Sequence, residues 1–274
     1  MGEAETRAQL GILGCGGRMG RLLLAAVLDA PGATLAGGSD RRGSAAVGQD
    51  LGLLAGHAAM GRLVGDDPAA LFAASDVVID FTLPQATAQH AALAAQQGTA
   101  LVVGTTGLLE EHLAELERAA QRVAVLRAPN MSLGVNLLMD LVRQAASKLD
   151  DAYDIEIVEM HHRHKVDAPS GTALGLGEAA ASGRNVDLDH ASVRVRDGQT
   201  GPRRSGSIGF ATLRGGDVPG DHTVIFAGEG ERLELGHRAS SRQVFVQGAL
   251  TAALWLHGKP SGLYSMQDVL GLNT

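Results

Sequence analysis

Ala8-Gln9-Leu10-Gly11-Ile12-Leu13-Gly14-Cys15-Gly16-Gly17-Arg18-Met19-Gly20-Arg21-Leu22-Leu23-Leu24-Ala25-Ala26-Val27-Leu28 sets the architecture of the chain. A short apolar run, Ala8 to Leu13, meets a glycine cluster and then the apolar, helix-forming run Arg21 to Leu28, which reads as strand, tight turn and helix. Pro31-Gly32 stops that helix, and Thr34 to Gly38 reads as a second strand. Outward from there the alternation continues: a fully buried strand at Asp76 to Phe81, a helix at Ala86 to Gln96, a strand at Ala100 to Val103, a helix at Glu110 to Arg122 and a strand at Val123 to Leu126. Repeated strand-helix units predict a parallel sheet covered on both faces, an α/β fold.

After Asn130 the pattern changes. One long helix, Val135 to Leu149, leads into an extended stretch at Ile155 to Glu159, a helix after Gly171, and extended stretches at Ser207 to Leu213, Thr223 to Ala227 and Arg232 to Gly236. Their period-2 character and glycine-rich turns predict a second, α+β domain with an open antiparallel or mixed sheet. The last helix, Gln243 to Leu256, is expected to return to the first domain and close its sheet. The expected division is residues 1–130 with 241–274, and residues 131–240.

Composition narrows the function classes. At 274 residues and 45% hydrophobic content the chain can bury a core without staples, and its single cysteine, Cys15, excludes a disulfide within one chain. No apolar leader or long apolar run stands out, which points to the cytosol. A net charge of −7 and 3% aromatic residues offer neither a positive field nor stacking rings for nucleic acid. Met1-Gly2-Glu3-Ala4-Glu5-Thr6 fits the loose myristoylation pattern, but Glu3 and Glu5 would repel an anionic membrane and no basic patch follows. No membrane partner is expected.

Phosphates need close backbone approach and unpaired N–H groups at a helix start, so the glycine cluster is a candidate dinucleotide site. Gly14 and Gly16 supply the first two glycines, whereas the third falls at Gly20 rather than Met19, off the familiar spacing. Asp40 stands at the end of the second strand, where a carboxylate accepts from adenosine ribose hydroxyls, and Arg41 and Arg42 follow it. A carboxylate repels a 2′-phosphate and a guanidinium forks onto one, so this run is open between NADH and NADPH. Gly104-Thr105-Thr106-Gly107 and Ala128-Pro129-Asn130-Met131 each follow a strand, at the edge where open α/β sheets bind ligands.

The stretch Glu159-Met160-His161-His162-Arg163-His164-Lys165-Val166-Asp167-Ala168-Pro169-Ser170-Gly171-Thr172-Ala173 concentrates proton-handling residues and admits three readings. A metal site is disfavoured, because adjacent strand residues point to opposite faces and Arg163 and Lys165 would repel an ion; no metal is expected. A solvated basic face is the bland reading. The third is a pocket for an acidic substrate: imidazole donates a proton near neutral pH, an ammonium neutralises a carboxylate, and Ser170-Gly171-Thr172 opens a helix whose N–H groups attract an anion.

Together, G-C-G-G-R-M-G at 14–20, G-T-T-G at 104–107, A-P-N-M-S-L-G-V-N at 128–136 and E-M-H-H-R-H-K-V-D-A-P-S-G-T-A at 159–173 resemble the 4-hydroxy-tetrahydrodipicolinate reductase (dihydrodipicolinate reductase) family of lysine and diaminopimelate biosynthesis. The resemblance covers nearly the whole chain. It implies a Rossmann-like cofactor domain, a second domain that binds a small dicarboxylate and builds a homotetramer, and hydride transfer from NADH or NADPH. By the same resemblance His161 is the proton donor and Lys165 its partner, while His162, Ser170, Gly171 and Thr172 contact the substrate. The cofactor is implied to touch Gly14, Cys15, Gly16, Gly17, Arg18 and Met19, then Asp40 and Arg41, then Gly104, Thr105 and Thr106, and finally Ala128, Pro129, Asn130 and Met131. Leu83 stands where some members carry Arg after D-F-T, and Asp40 where Glu is frequent. Reductases such as aspartate or homoserine dehydrogenase share the architecture but lack H-H-R-H-K followed by S-G-T, and a non-catalytic dinucleotide-sensing module leaves that segment unexplained.

Overall fold

The computed structural model describes residues 7–272, so the acylation-like pattern at residues 1–6 lies outside the described residues. The chain divides into two compact units, Met1–Ser132 with Phe245–Thr274, and Leu133–Val244.

In the first unit, β1 (Ala8–Leu13) and α1 (Arg18–Asp29) precede β2 (Ala33–Ser39), the one-turn helix α2 (Leu51–Leu54) and α3 (Pro68–Ala73). Next come β3 (Val77–Asp80), α4 (Pro84–Gln97), β4 (Ala100–Val103), α5 (Glu110–Ala120) and β5 (Ala124–Arg127). Punctuation sets the helix ends: Pro84 opens α4 and Gly98, left-handed at φ 73°, closes it. Val77, Val78 and Ile79 are fully buried, as strands covered on both faces must be. The six-stranded sheet has the order β11-β5-β4-β3-β1-β2 and every pair is parallel. Because β1 lies between β2 and β3, the chain reverses its direction of winding there, and the loops after β1 and β3 open a crevice at their carboxyl ends.

The second unit begins with α6 (Leu133–Lys148), β6 (Asp154–His161), α7 (Gly171–Arg184), α8 (Leu188–Ala191) and β7 (Ser192–Val193). It continues with β8 (Ile208–Arg214), β9 (Gly220–Gly228) and β10 (Glu231–Ala239). Its sheet, β10-β9-β6-β8-β7, is mixed: β6 pairs antiparallel with β9 and parallel with β8. Alternate residues of β6 are buried, and Ile155 and Ile157 join α6 and α7 in one apolar core. The chain then enters α9 (Gln243–Leu256), β11 (Gly262–Tyr264) and α10 (Met266–Val269). The expectation that the last helix closes the first sheet is corrected here: the closing element is the short strand β11, pairing with β5, and α9 delivers the chain to it. Among the described residues no helix is long and apolar enough to cross a membrane.

Candidate active site

The turn after β1 is built by glycine where a side chain cannot fit. Gly14 takes φ 63°, and a Cβ on Gly20 would lie 2.3 Å from the Gly14 carbonyl oxygen, so the third glycine is needed at 20 and not at 19. α1 starts without a side-chain cap, leaving its first N–H groups for a ligand. Asp40 closes the loop from the opposite side: its Oδ2 accepts the Gly16 N–H at 2.9 Å and its Oδ1 the Arg41 N–H at 2.8 Å. A cleft of about 620 Å³ opens here, lined by Gly14, Gly16, Gly17, Asp40, Arg41 and Arg42 among others. Its donors, the carboxylates of Asp40 and Asp66 and two exposed guanidinium groups, of which Arg42 pairs with Asp66 at 3.4 Å, suit the adenosine diphosphate part of a dinucleotide. Cys15 is fully buried behind the loop, and burial together with Asp40 pushes its thiol up to about 12, so its side chain has no chemistry to offer. Arg18 is exposed and Met19 half-buried at the start of α1.

Two further loops continue along the same sheet edge, after β4 and β5. Gly104 lies against Phe81, where a Cβ would come 2.3 Å from the ring, and Thr105 is buried and receives a hydrogen bond from Thr87 at 2.9 Å, while Thr106 is exposed. Ala128 and Met131 are buried, Pro129 is exposed, and Asn130 Oδ1 accepts the Ser132 N–H at 2.9 Å. Sequence reasoning missed a buried pair in the cleft wall. Asp80, at the end of β3, accepts from Thr82 through Oδ1 and meets His90 Nδ1 through Oδ2 at 2.8 Å, and His90 lines the cleft. The only cue was the short spacing from D-F-T to a histidine on the following helix.

The second cluster lies wholly in the second unit. His161, the last residue of β6, is 7% exposed, and its Nδ1 stands 2.6 Å from Glu159 Oε2. Glu159 is buried and gripped from two more sides: Arg214 forks onto it at 2.7 and 2.9 Å, and the Ser170 N–H donates to Oε1 at 3.0 Å. Burial alone would raise the Glu159 carboxyl, but Arg214, His161 and the Ser170 N–H outweigh it and hold the group below the usual carboxylate range. Burial lowers His161; Glu159 opposes this, Lys165 and Arg214 add to it, and the net position is below 6.5. His222, on β9, packs edge-on against His161 with ring centroids 5.1 Å apart, and burial followed by repulsion from His161 pushes it down to about 4.

The other residues of the segment divide between open and committed. Lys165 pairs with Asp167 at 2.8 Å, so the two cations nearest His161, Lys165 and Arg214, are matched by Asp167 and Glu159. His162 is half-buried, its Nδ1 without a hydrogen-bond partner among the described residues, whereas Arg163 and His164 are exposed. Ser170 is buried at 1% exposure, its hydroxyl accepting the Ala173 N–H at 3.1 Å and meeting His222 Nε2 at 3.0 Å, so its side chain serves as the cap of α7. Gly171 is open, since a Cβ there would meet nothing within 4 Å, and Thr172 is half-buried. Glu159, Arg214 and His222 were the residues of this cluster that pattern alone did not single out.

Two family profiles, "Dihydrodipicolinate reductase, N-terminus" and "Dihydrodipicolinate reductase, C-terminus", match residues 8–131 and 134–270. The chain belongs to the dihydrodipicolinate reductase family. Curated family members named 4-hydroxy-tetrahydrodipicolinate reductase include one from Methylocella silvestris, 56% identical over 96% of this chain and 97% of its own length. Another, from Ruegeria sp. (strain TM1040), is 54% identical over 95% of this chain and 97% of its own length. Family membership makes the chain an oxidoreductase of lysine and diaminopimelate biosynthesis that draws on a nicotinamide cofactor. A solved dihydrodipicolinate reductase from Paenisporosarcina sp. TG-14, with dipicolinate bound, shares the fold at a TM-score of 0.76 and 24% identity over 96% of this chain and 99% of that one. An amine dehydrogenase from Mycobacterium smegmatis shares it less closely, at a TM-score of 0.59 and 14% identity over 96% of each chain, so the fold alone does not select the chemistry.

Proposed function

We propose that the chain reduces the dehydrated form of 4-hydroxy-tetrahydrodipicolinate to tetrahydrodipicolinate, with His161 as proton donor. The observation that carries this is the buried Glu159–His161 pair, whose Nε2 takes no hydrogen bond among the described residues, beside Lys165 and the open start of α7 at Gly171. A reduced nicotinamide cofactor supplies the hydride. The glycine loop Gly14 to Met19, Asp40, Arg41, Gly104 to Thr106 and Ala128 to Met131 hold that cofactor; Asp40 keeps lone pairs for ribose hydroxyls, and Arg41 with Arg42 can meet a 2′-phosphate. Lys165, His162, Thr172 and the Gly171 N–H hold the two carboxylates, and Ser170 contributes by fixing the helix start they use. His161, charged as imidazolium, delivers the proton that completes saturation. A dianionic ring beside it opposes the depression that burial imposes, so substrate binding itself loads the acid.

The assay couples aspartate semialdehyde and pyruvate through a synthase and follows loss of reduced-nicotinamide absorbance, with NADH and NADPH in turn. Turnover is expected with the wild type, and His161→Ala and Lys165→Ala should each lower it by about 10²-fold or more. Near-normal rates in both variants would remove the assignment. Its setting is proposed as the cytosol and its assembly as a homotetramer; exposed Leu213 on β8 and Leu233 on β10 offer apolar surface for another copy to cover.

A further inference from the structure

Imidazole carries one proton in its neutral form, and the hydrogen bond made by one nitrogen fixes which nitrogen keeps it. His161 Nδ1 faces Glu159, an acceptor only when ionised, and Glu159 is held ionised by the Arg214 fork and the Ser170 N–H. On the other side, the β9 backbone comes so close at Gly220 that a Cβ there would stand 2.9 Å from His161 Nε2. The ring is gripped at Nδ1, whereas Nε2 takes no hydrogen bond among the described residues and is kept uncovered on this side by the missing Cβ of Gly220.

Resting on the proton-donor role given above to His161, we infer that Glu159, clamped by Arg214, is a positioning residue that locks His161 in the Nδ1–H form and makes Nε2 the atom that delivers the proton. In the imidazolium both nitrogens carry hydrogen. The Nε2–H bond breaks, its proton goes to the electron-rich ring carbon of the substrate, and the electron pair stays on Nε2. The ring is left neutral with Nδ1–H still donated to Glu159, and solvent recharges Nε2. Arg214 matters because an unclamped carboxylate could take the Nδ1 proton itself, which would return the imidazole in the wrong tautomer. The charged or titratable groups facing the ring are Glu159 on its own strand, Arg214 on β8, His222 on β9 and Lys165 in the following loop.

The test is nitrogen-15 NMR of the histidine side chains in the wild-type protein, with His161 assigned by comparison with His161→Ala. Above neutral pH the His161 spectrum should show Nδ1 protonated and Nε2 bare; an Nε2–H form, or an even mixture of the two, would overturn the inference. In E159Q, kcat should fall by a smaller factor than the roughly 10²-fold loss on removing the acid, with little change in the substrate KM. Its pH profile should also move to lower pH, because the carboxylate that opposes the depression of His161 is gone. A folded E159Q with unchanged kcat and pH profile would equally overturn it. Should E159Q fail to fold, the wild-type spectrum decides. An inactive H161A protein together with an Nε2–H spectrum would sink this inference alone, whereas a fully active H161A protein would sink the proton-donor role as well.

Discussion

At position 40 one carboxylate has two duties: it fastens the glycine loop through the Gly16 N–H, and it faces the cleft where ribose hydroxyls would arrive. Asp40→Ala should therefore weaken both cofactors through the loosened loop, and NADH more than NADPH, with the NADH KM rising about tenfold or more. Equal losses in steady-state assays would refute the ribose role. His222 offers a second test through pH. Its position in the folded protein is about 4 against an ordinary 6.5, so as pH falls through that window the unfolded chain binds the proton first. The stability tied to neutral His222 is thus present above about 6.5 and is lost progressively towards 4. Denaturant unfolding across this range should show a shallower loss for His222→Gln than for the wild type, and equal slopes would contradict the buried neutral state. The cues for His161 and Lys165 were local, lying in one segment. Glu159 sat in that segment unrecognised, and Arg214 and His222 reach it only through strand pairing, which no local pattern announces.

Helices and long strands announced themselves by periodicity and punctuation. Ala8–Leu13, Ala100–Val103 and Gln243–Leu256 occur with the bounds their sequences predict, because each is a strongly apolar run with a turn-forming or charged flank. The elements that escaped, α2, α3, α8, β7, β11 and α10, are six residues or shorter. Four of these are helices of one or two turns, too short for a 3.6-residue period to show, so tertiary packing and caps such as Asp50 and Asp67 decide, and β7 and β11, at two and three residues, are shorter still than the legible run Ala100–Val103. The packing of α9 makes its own prediction. A Cβ on Gly248 would lie 1.7 Å from the Met131 carbonyl oxygen, so this helix approaches the loop after β5 at a distance that only glycine allows. Gly248→Ala must push helix and loop apart, at a cost of about 1–3 kcal/mol, and should lower the melting temperature by several degrees. An unchanged melting temperature in calorimetry would mean that this contact does not constrain the helix.

For the molecule as a whole, the two candidate clusters fall in different units: the glycine-loop cleft in the parallel-sheet unit, the Glu159–His161 pair in the mixed-sheet unit. A negative overall charge coexists with a candidate site in which two cations are offset by two carboxylates. On the proposed function, attraction for a doubly anionic ring is local, and its expected consequence is proton uptake by His161. Calorimetry of pyridine-2,6-dicarboxylate binding near pH 7.5, in buffers of different ionisation enthalpy, counts protons taken up with the ligand. Uptake approaching about one proton per ligand in the wild type, absent in His161→Ala, is the predicted result; binding with no uptake, or with the same uptake in both proteins, would contradict it.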